Sequence, residues 1–259
     1  MSGTTKKRDG HGRLGSVLSG LAVAVGCLLF LGGFAAGALL YRPYTVPTGS
    51  MAPTFEPGSK LLAQRIDGDE VRRGDVVVFE DPLWGDSTMV KRVVGVGGDT
   101  VACCGTDGRL TVNGTPVEEP YLRPGPDGTV RASTEDFTAT VPEGSLFLLG
   151  DDRATSLDSR THLEDAARGS VPRATVVARV DAVAWPLSGG LVERPAAFAA
   201  LPGGVSTPGP LTPLLTAIAA GAALILGGAA YGPLAQRLTA RNKPAGEKRS
   251  KPGGEKVKA

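Results

Sequence analysis

The sequence predicts a mainly β domain that lies between an N-terminal and a C-terminal transmembrane helix. The first observation is that residues 14–41 and 195–236 of the 259-residue chain contain no charged side chain. The second is that short β-branched segments, bounded by Gly, Asp and Pro, occupy the region between these stretches. The third is that basic residues are concentrated in the two tails. The overall content of 41% apolar and 21% charged residues resembles a globular protein only because it averages over these regions.

The N-terminal part of the chain is interpreted as a short basic tail, residues 1–13, followed by a transmembrane anchor, residues 14–41. The apolar run from Val17 to Tyr41 exceeds the roughly 20 helical residues that cross a hydrocarbon core. A cleaved secretory signal is the alternative, because Ala36-Gly37-Ala38 is a small-x-small sequence of the kind that signal cleavage requires. We favour the anchor, since the apolar run is about twice as long as the roughly 7–15 apolar residues of a secretory signal.

Residues 211–232 form the second predicted transmembrane helix, and residues 233–259 form a second basic tail. The first tail carries four basic and one acidic residue, and the second carries eight basic and two acidic residues. Since short basic flanks stay on the cytoplasmic side, both termini are predicted to be cytoplasmic, and residues 42–210 are predicted to lie outside the cell. A buried hydrophobic helix is the alternative, and the basic tail behind 22 uncharged residues disfavours it. Gly32-Gly33 and Gly227-Gly228 are candidates for close helix contact.

Residues 42–186 are predicted to form the β domain. The strand candidates are 75–79, 89–96, 144–150 and 174–180. Asn113-Gly114 indicates a tight hairpin between two further short strands. Residues 187–210 are rich in Gly, Pro and Ala and are interpreted as a linker to the second transmembrane helix. The sequence contains no internal repeat.

Charge and composition exclude several classes of protein. Without the two tails the chain has 16 basic and 23 acidic residues, so a nucleic-acid binder is not expected. Three Cys residues without C-x-x-C exclude a zinc module and a disulfide-rich scaffold. Two histidines, His11 and His162, are too few for a histidine-built metal site, and we predict no metal and no cofactor. For Cys103-Cys104, two thiols or an intermolecular link are expected at least as readily as a strained vicinal disulfide.

Ser50 is the first candidate for a catalytic group. It lies within Pro47–Pro53, next to Gly49, which places its hydroxyl on a rigid turn. A lone exposed serine is usually only a turn residue, so a catalytic interpretation requires a base. His11 lies on the predicted cytoplasmic side, and His162 is the only other imidazole. A lysine therefore becomes the candidate base.

Lys91 is that lysine, and it lies in a β-branched segment where Met89 and Val93 share its face of the strand. A lysine at a sheet edge, with its amine in solvent, is the alternative. If the side chain is buried, desolvation lowers its pKa. A neutral amine near pH 7 requires a pKa shift of about three units, or about 4 kcal/mol. Such an amine can take the proton of a serine hydroxyl and return it to a leaving amine.

Four motifs occur in order along the chain. They are Gly49-Ser50-Met51-x-Pro53-Thr54, Arg73-Gly74-Asp75-Val76-Val77, Lys91-Arg92-Val93-Val94-Gly95 and Gly150-Asp151-x-Arg153-x-x-Ser156-x-Asp158-Ser159-Arg160. Together they resemble the conserved motifs of bacterial type I signal peptidases, which are serine proteases with a Ser/Lys dyad. The resemblance covers about residues 43–186 and the N-terminal anchor. It implies a signal-peptidase-like β fold for the extracytoplasmic domain.

The resemblance also implies a role for individual residues. Ser50 matches the nucleophile and Lys91 matches the general base. Thr48 matches the residue whose hydroxyl forms the oxyanion hole with the Ser50 backbone N–H. Ser156 matches a serine whose hydroxyl holds the lysine amine in place. Supporting ion pairs are implied for Asp158 with Arg160 and for Asp151 with Arg92, and apolar substrate pockets are implied at Val46, Pro47, Met51, Met89 and Val90.

The implied function is the removal of signal peptides from exported preproteins at the outer surface of the cell membrane. The expected partners are these preproteins and membrane lipid, and the sequence does not indicate an oligomeric state. A processing peptidase dedicated to one exported protein is one alternative, and the same motifs would serve it. A catalytically inactive, membrane-tethered β module that binds partners is the other. The presence of Ser50, Lys91 and Ser156 together disfavours the inactive module.

Two features depart from the pattern of the family. Asp152 stands where many members have Asn, which adds a negative charge beside Asp151. The interval between the Lys91 and Ser156 motifs is about 50 residues. The inserted second β region of the family, expected at residues 101–145, must therefore be small in this chain.

Overall fold

The computed structural model describes residues 10–241 except 86, 106, 126 and 127. The predicted basic tails, 1–13 and 233–259, therefore lie largely outside the described residues. The chain divides into two compact units. Among the described residues, a helical unit contains those up to Ala35 and those from Pro213 onward, and a β unit spans Ala36–Thr212.

Two long helices match the predicted transmembrane segments. Helix α1 spans Gly10–Leu40, the short helix α2 spans Ala196–Ala199, and helix α3 spans Leu211–Arg241. The apolar parts of the two long helices, Gly15–Leu40 and Leu211–Tyr231, have mean hydropathies of 2.3 and 1.9. Most of their side chains are exposed in the structure, although water disfavours such apolar surface. Two such helices fit a membrane-anchored protein.

Glycines let the two helices of the helical unit approach each other closely. A Cβ atom at Gly26 would lie 2.8 Å from the Gly221 carbonyl oxygen, and one at Gly33 would lie 2.7 Å from Ile218 Cγ1. A Cβ atom at Gly228 would likewise lie 2.7 Å from a side-chain atom of α1. Of the predicted pairs, Gly33 and Gly228 are thus at the contact, whereas their neighbours Gly32 and Gly227 have nothing within 4 Å. In lipid the hydrophobic effect does not drive helices together, and small residues allow the close van der Waals contact that does.

The β unit contains two antiparallel sheets built from eleven strands of the described chain. The seven-stranded sheet has the order β1-β2-β11-β3-β4-β9-β10, and the four-stranded sheet has the order β7-β6-β5-β8. The strands are β1 (Tyr41–Thr45), β2 (Lys60–Gln64), β3 (Val76–Phe79), β4 (Met89–Val96), β5 (Thr100–Cys103), β6 (Leu110–Val112), β7 (Thr115–Val117), β8 (Phe137–Thr140), β9 (Ser145–Leu149), β10 (Ser170–Pro172) and β11 (Val176–Trp185). This architecture confirms the mainly β prediction, because the predicted strands correspond to β3, β4, β9 and β11.

The small sheet lies within the segment expected to hold the inserted subdomain. It is formed by residues 100–140, and Asn113 and Gly114 occupy the tight turn between β6 and β7. Both residues have positive φ angles, 53° and 77°, as this turn requires. Cys103, at the end of β5, is joined to Cys104 by a disulfide. The structure therefore contains the vicinal bond, which the sequence did not favour over free thiols.

One apolar core joins the two sheets. Phe147 and Leu149 from the large sheet pack with Val101, Leu110 and Val112 from the small sheet, and all five side chains are fully buried. Strand β4 lies in the interior of the large sheet, between β3 and β9. Because β4 has a neighbouring strand on each side, its residues from Val90 to Gly95 are buried.

The segment predicted as a linker, residues 187–210, is packed onto the β unit. Phe198 is fully buried in the core that joins the sheets, and Leu201 is buried beside it. Its backbone also accepts a hydrogen bond of 2.6 Å from Arg73 Nη1 to the Pro202 carbonyl oxygen. The linker interpretation is therefore corrected: the segment connects to α3, but it is part of the β unit. Its composition predicted irregular backbone and could not reveal the burial of a few apolar side chains.

Candidate active site

Ser50 lies in a single 3₁₀ turn, Gly49–Met51, which we call the Ser50 turn. The backbone N–H of Asp152 donates a hydrogen bond of 3.1 Å to the Ser50 carbonyl oxygen. The Met51 side chain is fully buried in the core beneath the turn. These two attachments fix the backbone of the turn, while Ser50 itself stays partly exposed.

The Lys91 amine lies beside the Ser50 hydroxyl. Lys91 Nζ is 2.8 Å from Ser50 Oγ, and the lysine side chain is only 4% exposed. The sheet-edge alternative is wrong, because β4 is an interior strand. Burial lowers the pKa of the Lys91 amine below its ordinary value of 10.5, and the charges of Asp158 and Asp151 oppose part of this effect. The site thus joins a serine hydroxyl to an amine whose neutral form is favoured by desolvation.

Thr48 lies directly before the Ser50 turn and has an extended backbone. Its hydroxyl donates a hydrogen bond of 3.3 Å to Ser50 Oγ. This bond is on the exposed side of the turn. A hydroxyl donor therefore lies next to the candidate nucleophile, where an incoming carbonyl group can reach it.

Ser156 lacks the hydrogen bond that the resemblance implied. Its hydroxyl is buried and has no hydrogen-bond partner among the described residues. The expected bond to the Lys91 amine is therefore absent from the structure, and this expectation is corrected. The Ser156 side chain packs against Gly150, and Lys91 Nζ donates instead to Ser50 Oγ.

Asp151 and Arg92 form a buried ion pair behind the Ser50 turn. Arg92 Nε and Nη2 donate to the two carboxylate oxygens of Asp151 at 2.9 and 2.7 Å. Arg92 also donates to the Gly74 carbonyl oxygen and lies 3.9 Å from the centre of the Tyr121 ring. The Thr54 hydroxyl donates to the same carboxylate at 2.5 Å. The pair therefore connects β4 to the fourth motif through Asp151, and Asp151 in turn binds Thr54, which follows the Ser50 turn.

Asp158 and Arg160 form the second implied ion pair. Arg160 Nε and Nη2 donate to the fully buried Asp158 carboxylate at 2.9 and 2.8 Å. The same carboxylate accepts the Gly150 backbone N–H at 2.9 Å. This pair thus fixes the backbone next to Asp151, and through it the position of the other ion pair.

A cleft of about 770 Å³ opens at Ser50 and Lys91. All five residues for which the resemblance implied a substrate-binding role line it, together with Thr48 and side chains that the sequence analysis did not select. We call it the substrate cleft. Its lining includes Val46, Pro47, Thr48, Ser50, Met51, Trp84, Met89, Val90, Lys91, Thr155, Leu157, Thr161 and His162.

Comparison with known proteins identifies the family of the chain. Residues 18–185 match the family model described as signal peptidase, peptidase S26. The chain belongs to this family. The match confirms the resemblance that was drawn from the four motifs, and S26 is a family of peptidases, which are hydrolases.

Signal peptidase I of Mycobacterium tuberculosis (strain H37Rv) is 33% identical over 194 residues, which cover 57% of this chain and 66% of that protein. The alignment therefore spans slightly less than two thirds of the mycobacterial relative. Signal peptidase I of Bacillus caldolyticus is 35% identical over 195 residues, covering 70% of this chain and 95% of that protein. A crystal structure of a signal peptidase I from Enterococcus faecalis V583 is 33% identical, covers 42% of this chain and 94% of that chain, and has a TM-score of 0.34.

A third buried ion pair of this S26 family member was not found from the sequence. Arg153 Nη1 and Nη2 donate to the two carboxylate oxygens of Glu119 at 2.9 and 2.5 Å. Arg153 Nε also donates to the Gly150 carbonyl oxygen at 3.0 Å. Arg153 stood in the fourth motif, but its partner lies 34 residues earlier, in the insertion. No local pattern links two such residues.

The wall of the substrate cleft contains a stacked aromatic pair that the sequence analysis also missed. The rings of Trp84 and His162 lie 4.5 Å apart with an angle of 12° between their planes. His162 Nδ1 is 2.7 Å from Asp165 Oδ2. The sequence analysis did not assign His162 to the site, but it is half-buried and lines the cleft. Its separation in sequence from Trp84 gave no signal of this contact.

Gly150 gives a direct test of how the site is held. A Cβ atom at this position would overlap both the Ser156 side chain and the Ser50 carbonyl oxygen. We therefore expect Gly150→Ala to displace the Ser50 turn and to lower peptidase kcat by about 10²-fold, the cost of misplacing a reacting group by about 1 Å. Peptide cleavage rates and chemical unfolding of the detergent-solubilised protein measure the effect.

Gly105→Ala is the matched control, because the nearest atom to a Cβ at that position is 3.5 Å away. It should retain both activity and stability. Wild-type activity and stability in Gly150→Ala would contradict the proposed steric role of Gly150.

Proposed function

We propose that this chain is a membrane-anchored serine endopeptidase that removes signal peptides from exported preproteins. The observation that carries the proposal is the 2.8 Å contact between the buried Lys91 amine and the Ser50 hydroxyl at the substrate cleft. Family membership supports the class of reaction. The relatives named above are signal peptidases, which supports the class of substrate.

In the proposed reaction Lys91 acts as the general base. Its neutral amine accepts the Ser50 proton as Ser50 Oγ attacks the carbonyl carbon of the scissile bond. The resulting ammonium then gives a proton to the leaving amine, and the peptide bond breaks to leave an acyl ester on Ser50. A water molecule, deprotonated by the regenerated amine, hydrolyses this ester and restores both groups.

Thr48 is proposed as a donor to the oxyanion that forms during this attack. Its hydroxyl lies 3.3 Å from Ser50 Oγ in the free protein. A substrate carbonyl bonded to Ser50 Oγ would place its oxygen near this hydroxyl and the Ser50 backbone N–H. One such preset donor typically contributes about 3–4 kcal/mol to the transition state of acyl transfer.

The ion pairs are proposed to position the reacting groups without touching the substrate. Asp158 and Arg153 hold the two backbone polar groups of Gly150. Asp152, two residues on, holds the Ser50 carbonyl oxygen through its backbone N–H. Ser156 is proposed to act through packing against Gly150, because the structure gives its hydroxyl no bond to Lys91 among the described residues.

Substrate selection is proposed to take place in the substrate cleft. Val46, Met51 and Val90 are buried apolar residues in its lining, and we propose that they form small apolar pockets. Such pockets accept small side chains such as Ala before the scissile bond and exclude bulky or charged ones. This selection is proposed as the basis of specificity toward signal peptides.

Experiments can separate the proposed function from its two alternatives, which are an inactive β module and a dedicated processing peptidase. An inactive β module has no need for a buried lysine amine in contact with a serine hydroxyl, because burial of the charged form is unfavourable. A dedicated processing peptidase would use the same groups on one substrate. Cleavage of several unrelated preproteins by the purified full chain would support the general role, and cleavage of one alone would support the dedicated role.

Substitution of the dyad tests the mechanism. Ser50→Ala, Lys91→Arg and Lys91→Met should each abolish preprotein cleavage, because a guanidinium does not lose its proton in proteins and a thioether cannot accept one. Lys60→Met is the control, since Lys60 is exposed and bonded to Thr45, and it should keep activity. Wild-type kcat/KM should rise with pH, with an apparent pKa below 10.5. An active Lys91→Arg enzyme would refute the assignment.

The pH dependence of stability gives an independent check on Lys91. Because the folded-state pKa is lowered, the unfolded chain binds more protons between that pKa and the unfolded value near 10.4. Stability therefore falls as the pH decreases through this window. Lys91→Met should remove this loss, so its gain in free energy of unfolding should be larger at neutral pH than above pH 10.5. An equal gain at both pH values would contradict a buried, neutral amine.

Replacement of Thr48 tests the oxyanion donor. Thr48→Val should preserve the fold and lower kcat by roughly 10²–10³-fold with little change in KM, since the lost contact is strongest in the transition state. Thr48→Ser retains the hydroxyl and should stay close to wild type. Equal kinetics for the Val and Ser variants would remove the hydroxyl from the mechanism.

The proposed topology places both termini in the cytoplasm and residues 42–210 outside. Protease added to intact spheroplasts should digest the β unit and spare epitope tags at both termini, because basic flanks are retained on the cytoplasmic side. Permeabilised cells, in which both tags become sensitive, provide the control. Digestion of the C-terminal tag in intact spheroplasts would refute the topology.

A further inference from the structure

A second cavity lies next to the Ser50 turn and is distinct from the substrate cleft. Its volume is about 540 Å³. Its lining begins at Ala52 and at Asp151–Ala154, whereas the substrate cleft is lined by Gly49–Met51 and by Thr155. Two stretches of chain therefore pass from one cavity to the other. Because its lining includes the exposed residues Arg123 and Arg131, we call it the basic cavity.

The boundary between the two cavities falls at the reacting serine. The Asp152 N–H donates to the Ser50 carbonyl oxygen, and this bond joins the two stretches where they pass from one lining to the other. A peptide attacked at Ser50 has one segment before the scissile bond and one after it. If the first segment occupies the substrate cleft, the adjoining basic cavity can receive the second.

The charges of the basic cavity divide into neutralised and available ones. Arg153 is neutralised by the buried carboxylate of Glu119, and Asp151 is neutralised by Arg92. These pairs have no capacity to attract a ligand, because their charges are satisfied inside the protein. The charges available to a ligand are those of Arg123 and Arg131, which lie in the loop between β7 and β8, and that of Asp152, which lies next to Ser50.

Two arginines of that loop remain available. Arg131 is exposed and forms no ion pair with any described residue. Arg123 approaches Glu56 only to 3.5 Å, and both side chains are more than 60% exposed. A pair of this kind is worth little in water and can exchange its partner. Both guanidinium groups can therefore bind a carboxylate that enters the cavity.

We propose that the basic cavity binds the substrate segment that follows the scissile bond, and that Arg123 and Arg131 favour acidic side chains in it. The proposal rests on the proposed peptidase function and adds a specificity on the side opposite the apolar pockets. Asp152, at the Ser50 end, has the opposite charge. An acidic side chain is therefore favoured a few residues beyond the cut, near the arginines, and not directly beside Ser50.

The test uses substrates that are identical up to the cut and carry Glu, Gln or Lys at each of the second to fifth positions after it. With the full-length enzyme in detergent, KM should rise from the Glu to the Gln to the Lys substrate at one or more of these positions. Each arginine should contribute about two- to fivefold, the size expected for an exposed charge pair. The ranking should weaken at high salt, because such pairs are screened.

The variant Arg123→Gln/Arg131→Gln should abolish the ranking, so that the Glu, Gln and Lys substrates are cleaved with the same KM. Arg109→Gln is the matched control, since Arg109 is an exposed, ion-paired arginine outside the lining of the cavity. It should preserve the ranking. The same ranking in the double variant, or no ranking in wild type, would overturn the proposal.

Two further results distinguish a failure of the basic-cavity proposal from a failure of the peptidase function. Equal cleavage of all substrates, abolished by Ser50→Ala, would overturn the basic-cavity proposal and leave the peptidase function intact; cleavage that persists in Ser50→Ala would overturn the peptidase function itself. In vesicles, anionic lipid is compared with neutral lipid. If anionic lipid stimulates wild type but not the double variant, while substrate charge has no effect, the arginines bind lipid headgroups and the proposal is wrong.

Discussion

The backbone of Gly150 is the point on which the arrangement of the candidate site depends. Its N–H donates to the Asp158 carboxylate, and its carbonyl oxygen accepts from Arg153. The missing side chain leaves the space in which the Ser50 carbonyl oxygen and the Ser156 side chain lie. One residue without a Cβ therefore brings the fourth sequence motif against the Ser50 turn, and its polar groups are held from both sides.

Charged groups in this site fall into two kinds with different consequences. Arg92, Arg153 and Asp158 are buried in ion pairs with several hydrogen bonds each, which offsets their desolvation. Lys91 is buried with a neutral hydroxyl as its hydrogen-bond partner, so burial favours loss of its proton. The paired arginines stay charged and hold the backbone, whereas the lysine is suited to exchange a proton. We attribute the ion pairs to positioning, since buried pairs add little net stability.

The fold could be predicted from the sequence where its signal was local. An uncharged run such as Val17–Tyr41 specifies a helix that prefers lipid, and β-branched runs such as Met89–Val96 specify strands. Asn113-Gly114 specifies its turn through positive φ angles. The burial of residues 187–210 was not predictable in this way, because Phe198 joins the core only through contacts with strands far away in sequence.

The same distinction between local signals and long-range contacts applies to the candidate site. The sequence by itself determined the motifs that contain Ser50 and Lys91, because the order and spacing of neighbouring residues are enough to recognise the family. Only the tertiary structure decided that Ser156 packs against Gly150 and does not bond to Lys91. It alone also paired Arg153 with a carboxylate from the insertion and placed a basic cavity beside the substrate cleft. Side-chain direction, burial and cavities depend on which distant segments meet, and a linear pattern does not encode that meeting locally.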